Sequence, residues 1–363
     1  MVKSLNKKNF RIVGTSVEGA SHKRSGKPNQ DRINFFISDP SNLPIILVVA
    51  DGHGGKSYFR SGKGAALAIE TSLDVCKGLE KVPWDDIKDK KIIDFLCRDI
   101  VQKWLEKVNS DIQANPFTEE EKSLLKIKKG SSSKRPGGLN NIDLISAYGS
   151  TLITAVLHET YVLYLQLGDG DILTVAEDGN IDKPLPEDKR LFGNETTSLC
   201  LPEAWSDFRF RLIPIDSSNK PPALIIISTD GYANSYLSEH EFEKVGIDLL
   251  ENICEHPDGM HAGMDYIEEN LANWLNEASE KGSGDDITVG IICNLSQIKK
   301  YRDNNYEITI KKKEIKHVSD DTPPLAIKSE EIAKHEKQDN ILPPDPSESI
   351  DSPTNDNLGI DQL

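Results

Sequence analysis

No stretch of the chain approaches the roughly 18 consecutive apolar residues that a membrane-spanning helix needs, so no transmembrane segment is expected. Cysteine is sparse. The five in 363 residues (Cys76, Cys97, Cys200, Cys254, Cys293) are widely spaced and include no Cys-x-x-Cys pair. That argues against a disulfide framework or a thiolate zinc site and for a reducing compartment. An excess of basic charge is also missing: 43 Lys and Arg stand against 59 Asp and Glu, a formal net charge of −16. A phosphate-neutralising nucleic-acid surface is therefore not expected. The first residues, Met1–Lys8, carry charge but no apolar core, so no signal peptide is expected. These absences describe a cytoplasmic protein with neither nucleic acid nor membrane as partner. The length suits one large domain with a tail, or two domains.

What is present centres on Ile45-Ile46-Leu47-Val48-Val49-Ala50-Asp51-Gly52-His53-Gly54-Gly55. The apolar run reads as a strand buried on both faces. It ends in a carboxylate, a bare backbone carbonyl at Gly52 and glycines that let a ligand approach closely, a combination suited to a hard, oxygen-loving cation. Similar endings recur. Ala223–Ser228 leads into Thr229-Asp230-Gly231, Leu163–Leu167 leads into Gly168-Asp169-Gly170-Asp171, and Asp285-Asp286 opens the apolar run Ile287–Ile292. Four acidic strand ends in one domain would repel one another unless cations lie between them.

The periodicity predicts strands over 10–20, 32–38, 148–157, 161–168, 171–176, 207–213, 222–229 and 287–294. It predicts helices over 63–79, 86–114, 238–254 and 260–279, whose apolar stripes are core. Residues 21–31 read as a polar turn, and 181–205 as an irregular flap. The fold class is α+β: two antiparallel sheets packed face to face with helices outside. The stretch 126–142 is a basic insertion, read either as a solvated loop or as an electrostatic collector for phosphorylated ligands. Beyond Leu295 the composition changes. Residues 317–363 hold eleven Asp and Glu against three Lys, with six prolines, so 296–363 is expected to be a charged, mostly disordered tail to a domain spanning 1–295.

Taken together, Asn29-Gln30-Asp31, Asp51-Gly52-His53-Gly54-Gly55, Gly149-Ser150-Thr151, Gly168-Asp169, Asp230-Gly231 and Asp285-Asp286-Ile287-Thr288-Val289 resemble, in that order, the motifs of metal-dependent Ser/Thr protein phosphatases of the 2C type, in a bacterial-like branch. The resemblance covers roughly residues 9–295. It implies an α-β-β-α sandwich with a binuclear Mg²⁺ or Mn²⁺ centre at one end of the sheets. By that resemblance Asp51 bridges both metals and the Gly52 carbonyl binds one of them. Asp230 and Asp285 hold the first metal, Asp31 serves the second, and Asp169 matches a third, weaker site. His53 matches the histidine that protonates the leaving alkoxide. Two positions depart from the pattern. The arginine usual five residues before the motif aspartate is replaced by Gly26, leaving His22, Arg24 and Lys27 as candidates to grip substrate phosphate. Asn234 stands where the common motif ends in Asp.

The expected activity is hydrolysis of phosphoserine and phosphothreonine on proteins by metal-activated water, with a cognate Ser/Thr kinase as a further partner. Carboxylates and carbonyls without cysteine select magnesium or manganese over zinc. Two other readings stay open: a catalytically weak phosphatase-like module that binds or regulates, and a phosphatase of small phosphomonoesters.

Overall fold

A computed structural model describes residues 3–7, 9–39, 43–128, 139, 141–186, 188, 190 and 196–313. The centre of the basic insertion, parts of the flap and most of the expected tail lie outside the described residues. The chain opens with β1 (Lys3–Lys7), β2 (Phe10–Val17), α1 (Ala20–Ser25), β3 (Arg32–Ile37) and β4 (Ile45–Ala50). A helical stretch follows: α2 (Ser61–Cys76), α3 (Trp84–Ile87), α4 (Lys90–Ala114), α5 (Glu119–Lys128) and α6 (Asn141–Ser146). Then come β5 (Leu152–Leu157), β6 (Tyr161–Leu167), β7 (Asp171–Val175), the two-residue β8 (Ile181–Asp182), β9 (Arg209–Pro214) and β10 (Leu224–Ser228). The last elements are α7 (Asp230–Ala233), α8 (Glu239–Glu255), α9 (Met260–Lys281), β11 (Ile287–Asn294) and α10 (Leu295–Lys313).

The strands form two antiparallel sheets, one ordered β1-β2-β11-β10-β7-β8 and the other β3-β4-β5-β6-β9. Strand β4 shows why they stack. Ile45, Leu47 and Val49 pack between the sheets with Ile12, Ile225 and Ile292. Ile46, Val48 and Ala50 point the other way, into a cluster with Ala65, Leu73, Ile100 and Trp104 of α2 and α4. On the sheet that holds β10 and β11, Ile226 and Val289 face Phe242, Leu249 and Leu271 of α8 and α9. Each central strand thus has two buried faces, which is why its sequence does not alternate with polar residues. The expected α-β-β-α sandwich is the observed one.

Three local expectations change. The polar turn over 21–31 begins with a short helix, α1, ended by Gly26 in the left-handed conformation (φ 69°). The helix expected over 86–114 is broken after Ile87, and α4 restarts behind Asp89, whose side chain accepts from Lys91 N–H. The tail expected from residue 296 starts instead as α10, because Ile298 and Tyr301 give it an apolar edge. Ile298 is fully buried and Tyr301 packs against the same cluster as α8 and α9. Among the described residues no helix is long and apolar enough to cross a membrane.

Candidate metal centre

Antiparallel pairing gathers the acidic motifs at one end of the sandwich. In one sheet the start of β3 lies beside the end of β4 (Arg32 opposite Ala50), the start of β5 beside the same end (Ile153 opposite Val49), and the end of β6 beside the start of β5 (Leu167 opposite Leu152). In the other sheet Ser228 at the end of β10 sits between Asp171 and Val289, while Ile287 pairs with Val17. Asp31, Asp51, Asp169, Asp230 and Asp285 each flank one of these ends. They come from segments far apart in the chain and meet only through strand register.

The Gly149-Ser150-Thr151 motif clamps the loop after β4. Thr151 N–H donates to Asp51 O at 2.9 Å, and His53 N–H donates to Gly149 O at 3.1 Å. Asp51 N–H donates to Thr151 Oγ1 at 3.0 Å. Two glycines are required by space rather than by backbone angle. A Cβ on Gly52 would lie 2.7 Å from the Ser61 carbonyl carbon and 2.8 Å from Gln30 O. A Cβ on Gly149 would lie 2.5 Å from His53 Cδ2 and 2.9 Å from the Tyr58 ring. His53 meets Tyr58 edge-on at 4.8 Å between ring centres.

The adjacent Asp285 and Asp286 have different surroundings. Asp286 is buried and accepts from the backbone N–H groups of Gly19 and Gln30, both at 2.7 Å. His22 Nδ1 is 3.0 Å from Asp286 Oδ1 and its Nε2 is 3.8 Å from Asp285 Oδ1. Asp286 therefore ties the β2–α1 corner and the Asp31 loop to the start of β11, and leaves Asp285, exposed, to face the other acids. This corrects the expectation that His22 grips substrate phosphate: its ring is buried and engaged with the Asp285-Asp286 pair. Its position in a polar turn had suggested exposure, whereas helix α1 turns it inward.

Asp31 is almost fully buried, and its Oδ2 accepts from Thr229 Oγ1 at 2.7 Å. Thr229 Oγ1 also accepts from Thr288 N–H at 3.0 Å, so one hydroxyl joins the ends of β10 and β11 to Asp31. Burial, opposed by the Thr229 hydrogen bond and reinforced by Asp286 and Asp230, pushes the Asp31 carboxyl up to about 8. Burial, then the charges of Asp31, Asp230, Asp285 and Asp169, raises Asp51 well above the usual carboxylate range. Asp230, raised by burial and by Asp169 and Asp285, reaches about 7 even though a hydrogen bond with Asp51 opposes the rise. Asn234 Nδ2 donates to Asp230 Oδ2 at 3.1 Å. Asp169 is raised by burial too. The strongest electrostatic neighbours of Asp51 are thus all acids. Among the described residues no three Asp, Glu, His or Cys side chains close around one point as a metal cage. The arrangement is instead a row of mutually repelling carboxylates, which fits cations that take one or two carboxylates each and complete their shell with carbonyl oxygen and water.

The structure therefore brings Asp31, Asp51, Gly52, Asp169, Asp230 and Asp285 together. At the rim, Lys27 Nζ donates to Gly54 O at 3.0 Å, placing its ammonium over the loop that carries Asp51 and His53. Arg24 is exposed in the last turn of α1. Beside the acids, a cavity of about 490 Å³ lined by Asp169, Asp171, Lys183, Arg209 and Asn234 opens toward the flap. The sequence reading missed Thr229 and Asp286 as supports. It also missed Ser198, whose Oγ lies 2.7 Å from His53 Nε2 across 145 positions of chain and carries no local signal.

Among curated protein sequences none matches the chain significantly. Solved structures with similar coordinates include a C. elegans sex determining protein, at 18% identity and a TM-score of 0.49, covering 82% of this chain and 68% of that one. The catalytic domain of the serine/threonine phosphatase PstP in complex with two manganese ions matches at 14% identity and 0.44, over 78% and 98%. Stp1, a serine/threonine phosphatase from Staphylococcus aureus, matches at 12% and 0.45, over 80% and 97%. The sequence model of protein phosphatase 2C matches residues 18–276, most of the chain. The chain belongs to the protein phosphatase 2C family of metal-dependent protein serine/threonine phosphatases.

Proposed function

We propose that this chain hydrolyses phosphoserine and phosphothreonine in proteins with two divalent cations, Mg²⁺ or Mn²⁺, seated among Asp31, Asp51, Asp230 and Asp285. One observation carries the reading: Asp31, Asp51 and Asp230 are forced together, each held protonated beyond its usual range, and no lysine or arginine is among the strongest influences on them. Asp51 would bridge the two ions, with the Gly52 carbonyl adding an oxygen. Asp230 and Asp285 would hold one ion, Asp31 the other, and Asp169 a third, weaker one. The all-oxygen donor set favours hard cations. When bound, such ions lower the pKa of water toward neutrality and offset charge on the phosphoryl group.

The chain's own groups do the rest. His53 delivers a proton to the serine or threonine oxygen as the phosphorus–oxygen bond breaks. Lys27 meets a phosphate oxygen as a point charge at the rim, in place of the family's arginine. That arginine has no easy place here, because residue 26 holds a left-handed backbone conformation that favours glycine. The protein acts in the cytoplasm, with a Ser/Thr kinase supplying its substrates.

The test is hydrolysis of a phosphothreonine peptide and of p-nitrophenyl phosphate, with Mn²⁺ and after chelation. Both activities should need the metal, and Asp51→Asn should lower kcat by at least about a hundredfold, since it removes charge from a shared cluster. Full turnover in EDTA would refute the metal role. Turnover of the small ester without the peptide would make this a phosphatase of small phosphomonoesters. Metal binding without either activity would make it a phosphatase-like binding module.

A further inference from the structure

We infer that Ser198 is the positioning residue for His53, an inference that rests on His53 being the proton donor in the reading above. Ser198 is buried and stands near the end of the flap, far in sequence from the Asp51 loop. Its Oγ is 2.7 Å from His53 Nε2. The same oxygen accepts from Ser150 N–H at 3.1 Å and donates to Ser150 O at 3.2 Å. Leu199 N–H donates to that same Ser150 carbonyl at 3.0 Å, so the segment is zipped to the start of β5. Cys200 Sγ also lies 3.3 Å from this oxygen. With the Ser198 proton directed at Ser150 O, lone pairs are left to accept from Ser150 N–H and from an Nε2–H of His53.

Which imidazole nitrogen carries the proton is set by the hydrogen bond the other one makes. Ser198 therefore holds the ring by Nε2. Gly149 closes the same edge, since even a Cβ there would sit 2.5 Å from Cδ2. In the doubly protonated imidazolium the opposite nitrogen, Nδ1, also carries a proton; that proton passes to the leaving oxygen, and the neutral ring that remains keeps its Nε2–H on Ser198. Tyr58 packs against the ring in a T-shaped pair, with an angle of 78° between the two planes. A hydroxyl in this place does no chemistry on substrate. It removes the rotation about the Cα–Cβ and Cβ–Cγ bonds that would otherwise swing the donor off line, and a misplacement of about 1 Å costs on the order of a hundredfold in rate.

The experiment compares leaving groups. p-Nitrophenolate departs without a proton, whereas a serine or threonine alkoxide needs one, so loss of a well-placed acid shows only with the alkoxide. Ser198→Ala, and the nearly isosteric Ser198→Cys as a guard against misfolding, are assayed with His53→Gln and the Ser198→Ala/His53→Gln pair under saturating Mn²⁺. Ser198→Ala should lower kcat on the phosphothreonine peptide by roughly 10- to 100-fold and on p-nitrophenyl phosphate by no more than about threefold. In the His53→Gln background it should have almost no further effect, because the ring it holds is gone. Equal losses on both substrates, or a full additional loss in the double variant, would overturn the assignment and leave Ser198 a structural residue. If His53→Gln itself fails to separate the two substrates, the proton-donor role falls first, and the assignment of Ser198 with it.

Discussion

Asp31→Asn should stabilise the metal-free protein at alkaline pH while destroying its metal-supported activity. Asp31 is almost fully buried, and its carboxyl titrates near 8 in the fold against 3.8 for an unperturbed side chain. The folded state therefore binds more protons than the unfolded chain throughout the interval between those values. A raised carboxyl gives stability that is complete below the unfolded value and disappears as pH climbs through the folded one, so stability must fall as pH rises. Between about pH 5.5 and about pH 8 the linkage relation gives a loss of about 3 kcal/mol from this one group. Asp230, titrating near 7, acts in the same direction. In a domain of this size each kcal/mol moves the melting temperature by about 2–4 °C, so the loss amounts to several degrees. Asparagine keeps an oxygen to accept from Thr229 Oγ1 and has nothing to ionise. Melting curves of wild type and Asp31→Asn in EDTA, at fixed ionic strength across that interval, read the loss of the Asp31 carboxyl together with the relief of Asp51, whose rise the Asp31 charge reinforces. The wild-type curve should fall more steeply, with the variant the more stable at the alkaline end, and Mn²⁺ should raise the wild type far more than the variant. Parallel curves in EDTA would refute the account of Asp31 as a buried acid waiting for a cation.

Lys27→Ala should raise KM for a phosphopeptide several-fold and leave the Mn²⁺-induced thermal shift intact, whereas Arg24→Ala should change neither; steady-state kinetics of the pair decide between them. Gly149→Ala should lower kcat on phosphopeptide by about a hundredfold with a stability cost of about 1–3 kcal/mol, because a Cβ 2.5 Å from His53 Cδ2 must displace the ring. An active variant would show that the ring position is not critical. Truncation after Lys313 should leave the melting temperature unchanged, while truncation after Leu295 should lower it by several degrees through loss of the fully buried Ile298; equal melting temperatures would show that α10 contributes nothing to the domain.

The central strands were legible from composition alone. Ile45–Ala50 and Leu224–Ser228 are too uniformly apolar to lie at a water-facing surface, and an apolar run ending in Asp-Gly marks a strand end whatever packs around it. The acidic residues that cluster at one end of the sheets were legible for the same local reason: each acidic motif sits beside its own strand. Helix α1 was not legible, because Ser21–Lys27 has the composition of a loop and its helix depends on contacts with residues 279–286. Nor could the sequence separate Asp285 from Asp286. Both are acids at the head of β11, and only the backbone groups of Gly19 and Gln30 decide that Asp286 is a tie and Asp285 an open carboxylate. The same holds for His22, Arg24 and Lys27, which the sequence leaves alike and the inward face of α1 and the Lys27–Gly54 hydrogen bond set apart. Sequence by itself determined which groups are chemically able to hold a cation, because that is a property of each side chain and its immediate strand end. The tertiary structure decided how those groups share burial, charge and hydrogen bonds, because these depend on neighbours that strand register brings from far along the chain.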